Sequence, residues 1–226
     1  MAGRCLLYYI TDRSQFRGDE RARRQALLAK VTEAARAGVD YVQLRERDLS
    51  ARDLEILTRE VLTIVRDNAP LRTENRERRT LLLINSRTDV ALAAGADGVH
   101  LRSDDVSSEE VQAVVQRSAH RPLATDHFLV AASCHTAAEA LRAASEGVDF
   151  AVFAPVFGKR GAVGTPPAGL AALREACRAK IPILALGGVT MENAASCLEA
   201  GAAGIAAIRL FQENKIEEVA RALRAL

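Results

Sequence analysis

Amide and cationic side chains alternate where the apolar segment Tyr41-Val42 runs into Gln43-Leu44-Arg45-Glu46-Arg47. In an extended strand, residues two apart point to the same face, so Gln43, Arg45 and Arg47 share one side. Arginines that point into one enclosed space are costly unless an anion meets them. The pattern therefore predicts an anion site, with an ion pair between Arg45 and a nearby carboxylate as the alternative.

Two further polar pairs follow apolar segments in the same way. Ser133 and His135 share a face after Leu129 to Ala132, and Asp104 and Asp105 follow His100-Leu101. A hydroxyl beside an imidazole suits hydrogen bonding or proton transfer. Two carboxylates suit a hard divalent cation such as magnesium, or they could interact with the dipole of the helix that begins near Ser107.

The overall composition excludes other classes of function. The chain has 226 residues, with 31 basic and 29 acidic side chains and a formal charge of +2. Such a balance lacks the footprint of a nucleic-acid binder or a membrane-surface protein. We find no run long enough for a membrane span and no signal-peptide pattern, so we expect a cytoplasmic protein. The four dispersed cysteines are expected to be packed thiols.

The elements that must position these groups emerge from a repeat. A glycine turn leading into a short apolar segment recurs at Gly38, Gly95, Gly147 and Gly201, at intervals of 57, 52 and 54 residues. Each interval is about twice one strand–helix unit, and a further apolar segment lies in each gap. With the first segment, Leu6 to Ile10, the total is eight predicted strands.

Eight segments with helical composition alternate with these strands. They are 23–37, 51–67, 88–94, 107–116, 136–146, 169–179, 193–200 and 216–226. Eight alternating units favour an α/β fold, a single-domain (β/α)8 (TIM) barrel that spans residues 1–226. A doubly wound open sheet is the alternative, but no G-x-G-x-x-G follows the first strand.

In a barrel the active site forms at the carboxyl ends of the strands, where every polar group above would lie. Gly187-Gly188, followed by Thr190 and Asn193, ends strand seven. Barrels often bind phosphate there through backbone amides, because glycine lets the backbone approach an anion closely. The alternative is a tight turn only. The residues thus indicate an enzyme that acts on a small phosphorylated substrate.

Seven motifs, in register, resemble the thiamine phosphate synthase and TenI family from about residue 6 to residue 212. They are Tyr9-Ile10-Thr11-Asp12, Gln43-Leu44-Arg45-Glu46, Asn85 with Arg87 and Asp89-Val90-Ala91, Ala96-Asp97-Gly98-Val99-His100-Leu101, Ser133-x-His135-Thr136, Pro155-Val156-Phe157 and Leu186-Gly187-Gly188-Val189.

The resemblance implies one of two reactions. The synthase joins a pyrimidinylmethyl diphosphate to a thiazole phosphate with loss of diphosphate, and magnesium holds the leaving group. The TenI-like branch aromatises a thiazole phosphate carboxylate tautomer without metal, with a histidine resembling His135 as acid and base. A non-catalytic binder of thiazole or thiamine phosphate is a third hypothesis. Barrels of this type often pair, so a homodimer is one expected assembly.

Residue by residue, the resemblance implies that Gln43 and Arg45 hold the pyrimidine diphosphate. Asn85 matches a substrate-binding asparagine at the end of strand three. Asp105 matches a magnesium ligand, and Asp104 is its expected companion. Ser133 and His135 match a polar pair at the end of strand five. Gly188 and the amides of Ile208 and Arg209 match the thiazole phosphate cradle. The expected catalytic residues are His135, Ser133 and Arg45.

Several positions depart from the synthase pattern. Ser86 replaces the usual second aspartate ligand, which puts magnesium in doubt, and Arg47 replaces a lysine. The diphosphate loop becomes Gly158 to Pro167, where Lys159, Arg160 and Thr165 are expected to contact substrate. Arg209 stands where a serine commonly closes the phosphate site. Synthase chemistry remains the first expectation because it is the commonest role in the family.

Overall fold

Eight parallel strands close into a barrel in the computed structural model, which describes residues 4–68, 79–118, 127–158 and 166–226. Each strand pairs with the next in sequence, and the last pairs with the first. The strands are β1 (Leu6–Ile10), β2 (Tyr41–Leu44), β3 (Leu81–Asn85), β4 (Gly98–Leu101), β5 (Leu129–Cys134), β6 (Phe150–Phe153), β7 (Ile183–Ala185) and β8 (Gly204–Ala207). The predicted barrel is confirmed, and the open sheet is wrong.

Helices follow the strands on the outside of the barrel. They are α1 (Glu20–Arg36), α2 (Ala51–Asp67), α3 (Thr88–Ala94), α4 (Ser108–Arg117), α5 (Ala137–Ser145), α6 (Gly169–Ala176), α7 (Ala194–Glu199), α8 (Arg209–Gln212) and α9 (Ile216–Arg224). The sequence did not predict α8 or a 3-10 turn at Arg13–Gln15. No helix in the described ranges is long and apolar enough to span a membrane.

Alternation along the strands divides the apolar core in two. An inner cluster fills the barrel and includes Tyr8, Leu83, Ala131 and Val152. A larger outer cluster joins the strands to the helices. Three cysteines are buried in it and Cys177 packs against it, all as free thiols, as the sequence predicts. Alternation also turns Gln43, Asn85 and Ser133 to the inner face. Each lies near the carboxyl end of its strand, so these polar groups gather at one end of the barrel.

A carboxylate after three of the four repeated glycines anchors the opposite end of the barrel. Asp40 accepts the backbone N–H of Leu7 at 2.9 Å, Asp97 that of Leu82 at 2.8 Å, and Asp149 that of Val130 at 2.7 Å. Each carboxylate thus holds the N–H of the second residue of the preceding strand. The fourth repeat has Ala203 at this position. The aspartates explain why the repeat is more than a turn signal.

We expect Asp97→Ala to lower the free energy of unfolding by about 2–4 kcal/mol, because it strands the N–H of Leu82 and the cation of Arg79. Asp97 is 1% exposed and pairs with Arg79. Urea unfolding measures the change. Asp89→Ala is the control, since exposed Asp89 forms an ion pair with Arg87 and with no other side chain of the described ranges; its loss should cost less than about 1 kcal/mol. Equal losses in the two variants would contradict this role.

Candidate active site

The wall formed by β2 and β3 carries an amide pair at the mouth of the barrel. Gln43 Nε2 donates to Asn85 Oδ1 at 3.0 Å, and Asn85 Nδ2 donates to Ser86 Oγ at 3.1 Å. Gln43 is buried. The pairing leaves the Gln43 carbonyl and one hydrogen of each amide group for a ligand. The structure therefore brings Gln43, Asn85 and Ser86 together.

Arg45 stands just beyond the end of β2. It is half-buried, and its guanidinium forms no ion pair within the described part of the chain. The alternative in which a neighbouring carboxylate neutralises Arg45 is not what the structure shows there. Arg47 is exposed. Of the two arginines, only Arg45 is partly desolvated, which makes its charge the more effective one for an anion.

A buried hydrogen-bonded chain leads from the barrel interior to Ser133. Tyr8 Oη lies 3.1 Å from His100 Nδ1, and His100 Nε2 lies 2.8 Å from Ser133 Oγ. If the phenol donates to Nδ1, Nε2–H donates to Ser133, and the serine hydroxyl hydrogen is left for a ligand. In the sequence, His100 stands within the motif Ala96-Asp97-Gly98-Val99-His100-Leu101. Its signal is alternation, which turns an imidazole inward from buried β4.

Burial lowers the pKa of His100 to about 3, from an ordinary value near 6.5. Between these values the unfolded chain binds a proton that the folded chain does not. The free energy of unfolding is therefore unaffected by His100 above about pH 6.5 and decreases as the pH is lowered below it. The loss is about 2 kcal/mol at pH 5. We expect His100→Gln to remove this component in urea unfolding at pH 7.5 and 5. Equal pH dependence in wild type and variant would contradict it.

His135 lies at the exposed rim after β5. Its Nδ1 is 2.6 Å from the carbonyl oxygen of Ala154, and its backbone N–H donates to Glu139 Oε2 at 2.6 Å. A carbonyl only accepts, so Nδ1 carries the proton and Nε2 of the neutral ring is left as an acceptor. The structure thus gives His135 a defined tautomer that suits an acid–base or hydrogen-bonding role.

The two predicted metal ligands differ in what they contact. Asp104 is exposed, and its carboxylate accepts two hydrogen bonds from the Arg102 guanidinium. Nε donates to Oδ1 at 2.9 Å, and Nη2 donates to Oδ2. Asp105 Oδ2 accepts the Arg102 backbone N–H at 2.7 Å, which leaves Oδ1 for a ligand. Neither caps α4, because Ser107 and Glu110 form its capping box. Asp105 is therefore the better cation ligand of the pair.

No group of three or more His, Cys, Asp or Glu side chains in the described ranges could hold a metal by itself. Magnesium normally takes one or two carboxylates and completes its shell with water and phosphate oxygens. Asp105, Arg102 and Ser133 line a common cavity of about 350 Å³. A magnesium ion here would take Asp105 as its protein carboxylate and its other ligands from water and a phosphorylated substrate.

The glycine turn after β7 forms a second anion-type surface. Gly187 and Gly188 have φ values of 97° and 63°. A Cβ on Gly188 would lie 2.7 Å from the Gly158 carbonyl oxygen. The N–H groups of Gly188 and Val189 donate to no acceptor within the described residues. These amides border an open cavity of about 1050 Å³, lined also by Phe157, Gly158, Ile208 and Arg209.

Asn193 braces this glycine turn. It occupies the N-cap position of α7, but its side chain makes no capping hydrogen bond. Instead Nδ2 donates to the Gly188 carbonyl at 3.0 Å, and Oδ1 accepts the Thr190 N–H at 2.8 Å. The predicted residues Lys159, Arg160 and Thr165 lie outside the described residues.

Comparisons with known proteins bear on the family and on the fold. A family model described as thiamine monophosphate synthase matches residues 7–211. Thiamine-phosphate synthase of Methanoculleus marisnigri is 37% identical over 96% of this chain and 93% of its own. The enzyme of that name from Syntrophomonas wolfei is 34% identical over 97% and 95%. Thiamine phosphate pyrophosphorylase from Pyrococcus furiosus superposes with a TM-score of 0.74 and 27% identity, covering 97% and 94%.

Proposed function

The chain belongs to the thiamine monophosphate synthase family, and on that premise we propose that it joins a pyrimidinylmethyl diphosphate to a thiazole phosphate. The products are thiamine phosphate and diphosphate. Curated relatives that carry the synthase name favour this reaction over the tautomerase and the non-catalytic binder. The proposed substrates are small phosphorylated molecules. Cytoplasmic location and a homodimer stay predictions.

One observation of the structure carries the proposal. Two surfaces suited to phosphates lie on different sides of one barrel mouth, namely Arg45 with Gln43 and Asn85 beyond β2 and β3, and the Gly187-Gly188 turn beyond β7. In an eight-stranded barrel β3 and β7 are diametrically opposite. A reaction between two phosphorylated molecules needs such an arrangement, because both must meet in one cavity with their anionic ends apart.

The chemistry asks the protein to assist departure of the diphosphate. The bond between the pyrimidine methylene carbon and the diphosphate oxygen breaks, and the thiazole nitrogen forms a new bond to the same carbon. Charge develops on the leaving oxygen, so the Arg45 guanidinium would stabilise it directly. Gln43, Asn85 and the Ser133 hydroxyl would orient the pyrimidine, whose ring nitrogens accept and whose amino group donates hydrogen bonds.

Asp105 is the residue that we propose to hold magnesium, with Asp104 freed from Arg102 as a second candidate. Magnesium, when bound, would neutralise charge on the departing diphosphate. Ser86 supplies only a hydroxyl where the family commonly has a carboxylate, so this protein would contribute fewer anionic ligands. The half-buried Arg45 guanidinium would then carry more of the neutralisation.

Steady-state formation of thiamine phosphate, with magnesium or with a chelator, tests the proposal. We expect turnover with magnesium and loss of at least about 90% of it on chelation. The His135→Ala variant should keep measurable synthase activity, because the coupling step transfers no proton. Absence of thiamine phosphate in the presence of magnesium would overturn the proposal. Metal-independent tautomerase activity that His135→Ala abolishes would support the alternative.

A further inference from the structure

Glu46 stands between Arg45 and Arg47 in the sequence, and its carboxylate lies on the outer side of the barrel wall. Glu46 has a side chain that is 2% exposed. Its oxygens accept from Thr11 Oγ1 at 2.6 Å, from the Arg13 backbone N–H at 3.0 Å and from Arg13 Nη1 at 3.1 Å. By strand alternation Glu46 points away from the mouth while Arg45 points toward it. Glu46 therefore does not contact a ligand in the mouth, and its carboxylate oxygens are instead hydrogen-bonded to Thr11 and Arg13.

The Thr11 hydroxyl links this carboxylate to Arg45. An ionised carboxylate only accepts, so the hydroxyl hydrogen of Thr11 points at Glu46. Thr11 Oγ1 then accepts the backbone N–H of Arg45 at 3.0 Å. Arg45 lies one residue beyond β2, where the strand ladder ends. Thr11 directly follows β1, and its side chain thus continues the pairing of β1 with β2 as far as Arg45.

Arg13 closes the network and is not available to bind substrate. It is 4% exposed, and its guanidinium also contacts Glu20 at 2.8 Å and both Asp48 oxygens at 2.7 and 2.8 Å. A buried carboxylate such as Glu46 is costly without a partner of this kind. The hydrogen bonds from Arg13 to Asp48 connect the C-terminal end of segment 45–48 to the 3-10 turn at Arg13–Gln15. The segment that presents Arg45 is therefore held at both ends.

We infer that Thr11 and Glu46 are positioning residues, which fix the Arg45 backbone so that its guanidinium meets the diphosphate. The inference rests on the proposed function. A purely structural network would lower stability without a selective effect on diphosphate. A positioning network affects diphosphate only through Arg45, so its loss should matter little once the Arg45 side chain is gone.

A double-mutant cycle of Thr11→Val and Arg45→Ala distinguishes these outcomes. The readouts are the Kd of inorganic diphosphate with magnesium present and the KM of each substrate. We expect Thr11→Val to weaken diphosphate binding about tenfold, as for one lost buried hydrogen bond, and to leave the KM of thiazole phosphate within about twofold. Thr11→Ser, which keeps the hydroxyl, should bind like wild type. The double variant should bind no more weakly than Arg45→Ala.

Glu46→Gln is a second test, because it keeps the size of the side chain but weakens its hydrogen bonds from Thr11 and Arg13. We expect weaker diphosphate binding and little change in the KM of thiazole phosphate, as for Thr11→Val. Thr58→Val is the control, since buried Thr58 donates to the Leu54 carbonyl within α2, and it should lose stability alone. Additive effects of Thr11→Val and Arg45→Ala, or unchanged diphosphate binding in Thr11→Val and Glu46→Gln, would overturn the inference. Diphosphate binding by wild type without turnover would overturn only the proposed function.

Discussion

Replacing Arg45 by alanine is expected to lower kcat/KM for the pyrimidine diphosphate by about 10² to 10³. Arg45 is half-buried at the mouth and has no ion-pair partner in the described ranges. No carboxylate in those ranges competes with the leaving diphosphate for this charge, and charge-assisted bonds to a developing anion are worth about 3–4 kcal/mol. Steady-state kinetics with each substrate varied in turn measures the effect.

Arg47→Ala is the matched control for that prediction. Arg47 has the same charge two residues further along and is exposed, so solvent screens it and the loss should stay below about tenfold. Arg45→Lys should recover part of the rate, since it keeps the charge but loses the planar fork. If Arg47→Ala proves as damaging as Arg45→Ala, the diphosphate is held nearer the rim than we propose.

Gly188→Ala is expected to raise the KM of thiazole phosphate at least about tenfold and to destabilise the fold by about 1–3 kcal/mol. The added Cβ would lie 2.7 Å from the Gly158 carbonyl oxygen and 2.8 Å from the Phe157 Cβ. The backbone also has a φ of 63°, which an L side chain rarely adopts. The turn must shift, and with it the N–H groups that would bind the phosphate.

Gly169→Ala is the control for Gly188→Ala, because it adds backbone strain at a positive φ without displacing the turn that would bind phosphate. Gly169 has a φ of 80°, but a Cβ there would have nothing within 4 Å. This control should lose stability and keep its KM for thiazole phosphate. A Gly188→Ala variant with unchanged KM for thiazole phosphate would place that phosphate elsewhere.

The barrel was predictable because its signals are local and repeated. Buried parallel strands are short apolar segments, and Gly38 and its three equivalents mark the turns between helix and strand. The aspartates at positions 40, 97 and 149 follow these glycines at a constant spacing, so their common role could have been inferred. The short helix α8 was missed because four residues are too few for helical periodicity.

The site was harder to predict, because side chains find partners that no spacing reveals. The sequence identifies Gln43 and Arg45, whose strand register is fixed by alternation, but not the contact of Asn85 with Gln43. His100 and Tyr8 meet across 92 residues of sequence. Asp104 illustrates the opposite problem, since its carboxylate suits a metal by type yet pairs with Arg102.

The most direct test is to follow all phosphorus-containing species by ³¹P NMR while the protein acts on equal amounts of pyrimidine diphosphate and thiazole phosphate with magnesium. Two anion surfaces serving one mouth predict that thiamine phosphate and diphosphate appear together in a one-to-one ratio as both substrates disappear. Release of diphosphate without consumption of thiazole phosphate, or no change in either substrate, would contradict a synthase.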